Sequence, residues 1–301
     1  MRIVVAALFT LVILSPAGVV FAVVWTTPYL GPATSAEEAA PTGPVSVLPA
    51  PDVQPGTLPA TPVNVYANIM SGTVPCPLCK IPPRVYVPNS GAGTVDVIDP
   101  LTFKVIDHFA VGSIPHHIAP AWDMSALYVD NEGSSSLTVI NIHTGKPSGT
   151  ISMPYPYNLY FTPDGAHALV MAERMHRIDV VNPQIMASER SLPVPCDGVN
   201  HADYSADLSF FVASCEFSGQ LLVVDRSATK LLKVIDLNST KTPGATSARE
   251  AMRMGGPKSG LTPGASAMPQ DVRLTPDGTR FLVADMLRVG IWVINASTLE
   301  S

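Results

Sequence analysis

The sequence predicts an all-β protein built from radially stacked four-stranded sheets, a partial β-propeller, and three observations predict it. Five segments end alike: TVDVID (94–99), LTVINI (137–142), RIDVVN (177–182), QLLVVD (220–225) and GIWVIN (290–295). Their corner residues Asp99, Asn141, Asn182, Asp225 and Asn295 recur at steps of 42, 41, 43 and 70 residues. A second marker, the turn aspartate of PAWD (Asp123), TPDG (Asp164), SADL (Asp207) and TPDG (Asp277), steps by 41, 43 and 70. Both series lengthen at the same place, so one insertion, residues 239–266, accounts for both. The third observation is the pattern inside each unit. Runs of four to seven residues rich in Val, Ile, Tyr and Phe alternate with Gly/Asn/Asp/Pro turns. Four such strands in about 42 residues match one propeller blade. The 3.6-residue period of a helical solenoid is absent.

In chain order, Arg2 precedes an apolar run from Ile3 to Trp25. This is an export signal in either of two forms. It is long enough for a membrane span of roughly 20 residues. It also fits a cleaved signal peptide, with Val20 and Ala22 as the small residues before the cut. Residues 26–83 form a proline-rich linker; the stretch 31–62 alone holds eight prolines and no aromatic residue. Such a segment cannot bury enough apolar surface to offset its ordering entropy and reads as an extended spacer. It ends in Cys76-Pro77-Leu78-Cys79, with no helix to follow and no histidine after Cys79. A local disulfide is favoured over half of a metal clip, and c-type haem attachment is not supported.

The repeats occupy 84–301. In the second unit ALYV (126–129), SLTVINI (136–142) and TISM (150–153) are strands, with NEGSS and HTGKP as turns. The corner Asp/Asn suits a turn because its short side chain bonds to backbone N–H groups two residues on. The insertion contains one short helix candidate, SAREAMRM (247–254), and GGPKSG (255–260), which has anion-binding residue types but no helix after it. No phosphate loop, GxSxG elbow or HExxH occurs. The formal charge of −6, without a Lys/Arg cluster, excludes a nucleic-acid partner.

RVYVPNSGAGTVDVIDPLTFKVI (84–106) resembles the YVTN-type β-propeller repeat, whose tetrapeptide is matched by Tyr86-Val87-Pro88-Asn89. PYNLYFTPDG, SLPVPCDGVNHADYS, ASCEFSGQLLVVD and MPQDVRLTPDG resemble its bacterial YncE-like branch. The resemblance covers about residues 84–301. It implies an exported, seven-bladed and non-enzymatic propeller. The wider superfamily includes lactonase-like, amine-dehydrogenase-like and nitrous-oxide-reductase-like propellers, so fold alone does not fix function. Against a seven-bladed pattern only about four and a half blades are present: four units and part of a fifth, the first lacking its innermost strand, for which VNVYA (63–67) is a weak substitute. An open arc leaves apolar sheet faces uncovered, at roughly 1.5–3 kcal/mol per unburied side chain. Truncation is therefore the first expectation, completion by a partner chain the second and a five-bladed ring the third.

Innermost strands line a propeller's channel. Six residues before each turn aspartate lies one equivalent position per blade: His117, Asn158, His201 and Asp271. A ring of polar side chains there could take a small polar ligand, or a metal ion through His117 and His201. The bland alternative is a water-filled channel. Asp203 and His116 flank the ring, and alternation turns His116 toward the sheet face. Glu132, Glu173, Glu216 and Asp285 are expected as solvated turn residues near one rim. Cys196 and Cys215 fall at the same end of one hairpin. In an exported protein this favours a disulfide over two free or metal-binding thiols.

No nucleophile–base pair is evident. The leading expectation is an extracytoplasmic binding or scaffold module, secreted or anchored to the outer face of the plasma membrane. Its ligand would be a protein, a cell-wall polymer or a small molecule, and it would touch membrane only through the N-terminal segment. The alternative is a metal-binding or enzymatic propeller using the channel mouth.

Overall fold

A computed structural model of the 301-residue chain describes residues 81–239 and 266–301, together with two short N-terminal strands. Those strands, β1 (Ile13–Ser15) and β2 (Gly18–Val20), pair antiparallel, Ile13 opposite Val20. The rest of the expected export signal, the linker with Cys76 and Cys79, VNVYA and the insertion's helix candidate lie outside the described residues. Among the described residues, no helix is long and apolar enough to cross a membrane.

The repeats form five antiparallel sheets. The first holds β3 (Val85–Asn89), β4 (Thr94–Asp99) and β5 (Lys104–Ala110). The second holds β6 (Pro115–Pro120), β7 (Ala126–Asn131), β8 (Ser136–Asn141) and β9 (Lys146–Ser152). The third holds β10 (Pro156–Phe161), β11 (Ala168–Ala172), β12 (Arg177–Val181) and β13 (Ser188–Pro193). The fourth holds β14 (Val199–Tyr204), β15 (Phe210–Cys215), β16 (Gln220–Asp225) and β17 (Leu231–Asp236). The fifth holds β18 (Pro269–Leu274), β19 (Arg280–Asp285) and β20 (Gly290–Asn295). Three complete sheets thus stand between two three-stranded ones, the first of which starts at its second strand. This is the expected four and a half blades, with GIWVIN as the third strand of the last. The second unit's outer strand starts earlier than expected, at Lys146, and includes Pro147 on the exposed edge strand, where proline is tolerated.

The two sequence markers hold matching places. Each corner side chain accepts from backbone N–H groups just beyond it: Leu101 to Asp99 (2.8 Å), His143 to Asn141 (2.9 Å), Gln184 to Asn182 (3.0 Å), Thr229 to Asp225 (2.7 Å) and Ser297 to Asn295 (2.9 Å). The turn aspartates do the same for Ser125, Ala166, Ser209 and Thr279 at 2.9–3.1 Å. A further regularity has no sequence signature. The turn after each first strand carries one left-handed residue, at Met124, Gly165, Leu208 and Gly278. The turn after each second strand carries one at Gly93, Ser135, His176, Gly219 and Val289. Glycine occupies only some of these places, although a side chain there costs energy.

The core is divided among the gaps between neighbouring sheets. Tyr128, Leu137, Leu159 and Val170 close the gap between the second and third sheets. Met171, Ile178, Phe211 and Leu222 close that between the third and fourth. Val212, Leu221, Phe281 and Trp292 close that between the fourth and fifth. Each fully buried side chain contributes about 1.5–3 kcal/mol. The first strands β6, β10, β14 and β18 contact one another from sheet to sheet and form the axis side, while β5, β9 and β13 lie exposed on the rim.

Candidate functional site

Every first strand is bulged near its start. Pairing slips between Pro115 and Ile118, Pro156 and Asn158, Val199 and Ala202, and Pro269 and Val272. A bulge sets two residues against one and breaks alternation. The consequence is visible at His116 and His117. Both rings meet Tyr157, His116 stacked at 4.6 Å between centroids and His117 tilted at 5.2 Å. The expectation that alternation removes His116 from the ring is therefore wrong; the bulge turns both histidines to the same cluster.

The four predicted ring positions come together. His117 meets His201 edge-on with centroids 4.9 Å apart. Asn158 Nδ2 lies 3.4 Å from His201 Nδ1, and Asp271 Oδ1 lies 3.5 Å from the same nitrogen. Asp271 is in turn paired with Arg273 Nη1 at 3.0 Å. Burial lowers the His117 pKa to about 3, assisted by the charges His201 and His116 would carry. Burial with Arg273 lowers that of His201 to about 4. Both imidazoles are thus neutral at ordinary pH, the form that ligates metals or exchanges hydrogen bonds with an uncharged ligand. Among the described residues, no group of three or more His, Cys, Asp or Glu side chains is placed to hold a metal ion. Asp203 lies two residues beyond His201 on β14. It accepts from Tyr204 N (2.9 Å) and from Leu274 N (2.7 Å), joining the fourth sheet to the fifth, and burial raises its pKa.

The acidic set departs from expectation. Glu132 is 1% exposed and Glu173 4% exposed, so they are not solvated turn residues. They follow the ends of β7 and β11 at the axis side, beside inner-strand side chains such as His116. Glu132 bonds His116 Nε2 at 2.9 Å and also Arg174 Nε. Burial opposes its charge, but those two partners hold its pKa below the usual carboxylate range. Burial, then the Glu216 and Glu132 charges, raise the Glu173 pKa to about 9, against the smaller opposing effect of the Arg174 charge. Glu216 accepts from Asn200 Nδ2 at 2.9 Å and is raised by burial. Asp285 is buried too, but in another role. It pairs with Pro269 as Asn131 does with Pro115, one register position before the glutamates. There it accepts from Met268 N (3.0 Å), Leu287 N (2.9 Å) and Trp292 Nε1 (2.7 Å), which closes the fifth sheet's turn.

Cys196 and Cys215 form the disulfide, with Cα atoms 6.0 Å apart. It ties the entry of β14 to the end of β15. Tyr157, Tyr160 and Arg273 belong to the site and were not singled out from sequence. Tyr157 and Arg273 are the residues next to or two beyond ring positions, and only the bulge and the sheet-to-sheet contacts reveal their direction.

Residues 53–187 match the model of the YNCE-like beta-propeller family. No curated protein matches the chain. Among solved structures, hydrazine synthase of Kuenenia stuttgartiensis is similar, with a TM-score of 0.51 and 23% identity over 67% of this chain and 52% of that one. The chain therefore spans about half that protein's length, and the likeness is one of fold. Dihydro-heme d1 dehydrogenase NirN in complex with DHE aligns with a TM-score of 0.49 and 16% identity, over 73% of this chain and 42% of that one.

Proposed function

We propose that this chain, a YncE-like β-propeller over residues 53–187, is an extracytoplasmic binding module that takes a small polar ligand at the axis mouth. The observation that carries the reading is the convergence of His117, Asn158, His201 and Asp271, one from each of four successive sheets, on a single cluster. Two neutral imidazoles, a carboxamide and a carboxylate offer donors and acceptors without a fixed net demand for charge. The Cys196–Cys215 disulfide supports an oxidising compartment, and hence export.

Differential scanning fluorimetry of the chain with amino acids, monosaccharides and dicarboxylates tests this. A saturating ligand at 100 times its Kd stabilises by about 2.7 kcal/mol. Stabilisation by one of these classes, lost in the His117→Ala/His201→Ala variant, supports the reading. Equal responses of both proteins, or none in either, overturn it. The neutrality of His117 and His201 also favours a second reading, a divalent metal held by these two imidazoles. Stoichiometric metal in the purified chain that disappears in the double variant would establish it in place of the first.

A further inference from the structure

The axis carries a second layer of polar groups beside the His117–His201 contact, and its charges do not balance. Glu132, Glu173 and Glu216 each follow directly on a second strand, β7, β11 and β15. Their turns are tied to the segments that lead into the first strands, Glu132 N to Ile114 O at 3.1 Å and Glu216 N to Gly198 O at 2.8 Å. The three acids therefore lie at the end of the axis where the first strands begin. The Glu173 and Glu216 carboxyl groups face each other within hydrogen-bonding reach, and the charges of all three acids bear on the Tyr157 hydroxyl. Tyr157, Glu216 and Gln270 are only partly buried, so solvent reaches the group from the mouth.

The cations nearby are committed to one of the three acids. Glu132 holds His116 Nε2 at 2.9 Å and Arg174 Nε. The Arg174 side chain is otherwise turned outward, 59% exposed, and its charge offsets only part of the rise in the Glu173 pKa. Among the described residues the ion pairs of this group end on Glu132, and none reaches Glu173 or Glu216. Glu216 accepts from Asn200 Nδ2 at 2.9 Å and has Gln270 beside it. Glu173 is 4% exposed, and its buried Oε1 receives no hydrogen bond from the described residues. Two facing carboxyl groups without a bound cation are costly to ionise together. The chain alone meets this by keeping Glu173 protonated: burial first, then the Glu216 and Glu132 charges, place its pKa at about 9.

A ligand cation can take the place of that proton. An ammonium nitrogen has three N–H donors and can bridge facing carboxylates, the orphaned Oε1 included. The stacked rings of His116 and Tyr157, 4.6 Å between centroids, offer an aromatic face beside it. An anion is repelled by the same carboxyl groups, and a neutral ligand leaves their charge unbalanced. We infer that the axis mouth takes a ligand with a primary ammonium group, held between Glu173 and Glu216, whose remaining polar part points to the His117–His201 layer. This rests on the reading of the mouth as a small-ligand site and names the ligand's class. On binding, the Glu173 carboxyl gives its proton to solvent and the ammonium N–H groups replace it, so one proton leaves for each cation bound.

The test compares ethanolamine, ethylene glycol, glycolate and choline on the full chain at pH 7.5. NMR titration gives the affinities, and calorimetry in buffers of different ionisation enthalpy gives the proton release. For so few atoms a Kd of about 0.1–10 mM is expected for ethanolamine. Ethylene glycol and glycolate, of similar size without the cation, should bind at least about tenfold more weakly, and so should choline, which has the charge without the N–H donors. About one proton should be released per ethanolamine bound. Glu173→Gln keeps a neutral side chain of the same shape. It should weaken ethanolamine about tenfold and abolish the proton release while leaving ethylene glycol unchanged. Glu216→Gln should weaken ethanolamine to a similar degree. The inference is overturned if ethylene glycol, glycolate or choline binds as tightly as ethanolamine, or if no proton is released. It is also overturned if neither glutamine variant weakens ethanolamine, or if none of the four compounds binds. Binding of ethylene glycol or glycolate as tight as that of ethanolamine, and lost in His117→Ala/His201→Ala, would overturn the ammonium assignment alone and leave the axis-mouth reading standing.

Discussion

The third and fifth sheets share the order of their first three strands and the bulge in the first of them, yet they differ in what their second strands bury. In β11 all five residues, Ala168 to Ala172, are buried. In β19 burial alternates: Phe281, Val283 and Asp285 are covered, while Arg280, Leu282 and Ala284 are exposed. β20 behaves likewise, with Trp292 and Ile294 inside and Ile291 and Val293 outside. Both sheets carry apolar residues at odd and even positions. The difference teaches that a strand of this fold is written for two neighbours, and that its burial is a property of the gaps on either side rather than of the strand itself.

The largest effect expected of this contrast lies in a closed gap. Phe211 is fully buried where the third and fourth sheets meet. Phe211→Ala removes a large side chain that the surrounding strands cannot fully replace, and a loss of about 3–5 kcal/mol is expected in urea denaturation. A loss below 1 kcal/mol would mean that this gap is not a packed core.

Next is the covalent tie in the fourth sheet. The Cys196–Cys215 bond spans a sequence separation of 19. A loop of that length is worth about 3 kcal/mol in the chain-entropy account. The Cys196→Ser/Cys215→Ser variant should lose about that much, and a reducing agent should lower the Tm of the unaltered chain but not of the variant. Equal Tm values with and without reductant in the unaltered chain would argue against the bond.

These two features stood differently in the sequence. The disulfide was legible, because turn aspartate Asp207 halves the segment between the cysteines and puts them at one end of a hairpin. The corner residues were legible for a local reason as well, since Asx bonding to the backbone is a property of the residue and its immediate neighbours. The buried glutamates were not. Glu132 and Glu173 sit beside turns, where a polar residue is ordinarily solvated. Their burial comes from inner-strand side chains that a bulge redirects, and a bulge is a relation between two strands. The left-handed turn positions were hidden for a similar reason: Met124, Leu208 and Val289 adopt φ values of 53–60° where a sequence reading looks for glycine. Likewise His117, Asn158, His201 and Asp271 could be aligned by counting, but Tyr157 and Tyr160 entered the site only through contacts across sheets.

Glu173 supplies a smaller, pH-dependent effect within the third sheet. Its folded pKa of about 9 stands above the unfolded reference of 4.5. The folded state therefore binds more protons than the unfolded state between these values, and stability falls as pH rises through that window. Glu173→Gln retains a neutral, hydrogen-bonding side chain and should flatten this decline, so that the variant gains on the parent from pH 6 to pH 9. Parallel stability–pH curves for the two proteins would show that Glu173 ionises normally. The fully buried Asp130, whose pKa burial also raises well above 3.8 and whose two oxygens have no hydrogen-bond partner among the described residues, should give the same sign in Asp130→Asn.

The smallest effect tests the comparison most directly, because one chemical change is made on both faces of the same sheet. Val283→Thr puts a hydroxyl on the covered face of β19, where the side chain is fully buried. Without a partner such a group costs about 1–3 kcal/mol. Ile291→Thr and Val293→Thr keep a β-branched shape on the open face, so strand propensity barely changes. Their side chains are 66% and 46% exposed. Each should alter stability by no more than about 0.5 kcal/mol. If the open-face variants instead lose as much as Val283→Thr at protein concentrations where the chain is studied, then Ile291 and Val293 are covered in solution. The fifth sheet would then have the second neighbour that the third sheet has, and the contrast between them would vanish.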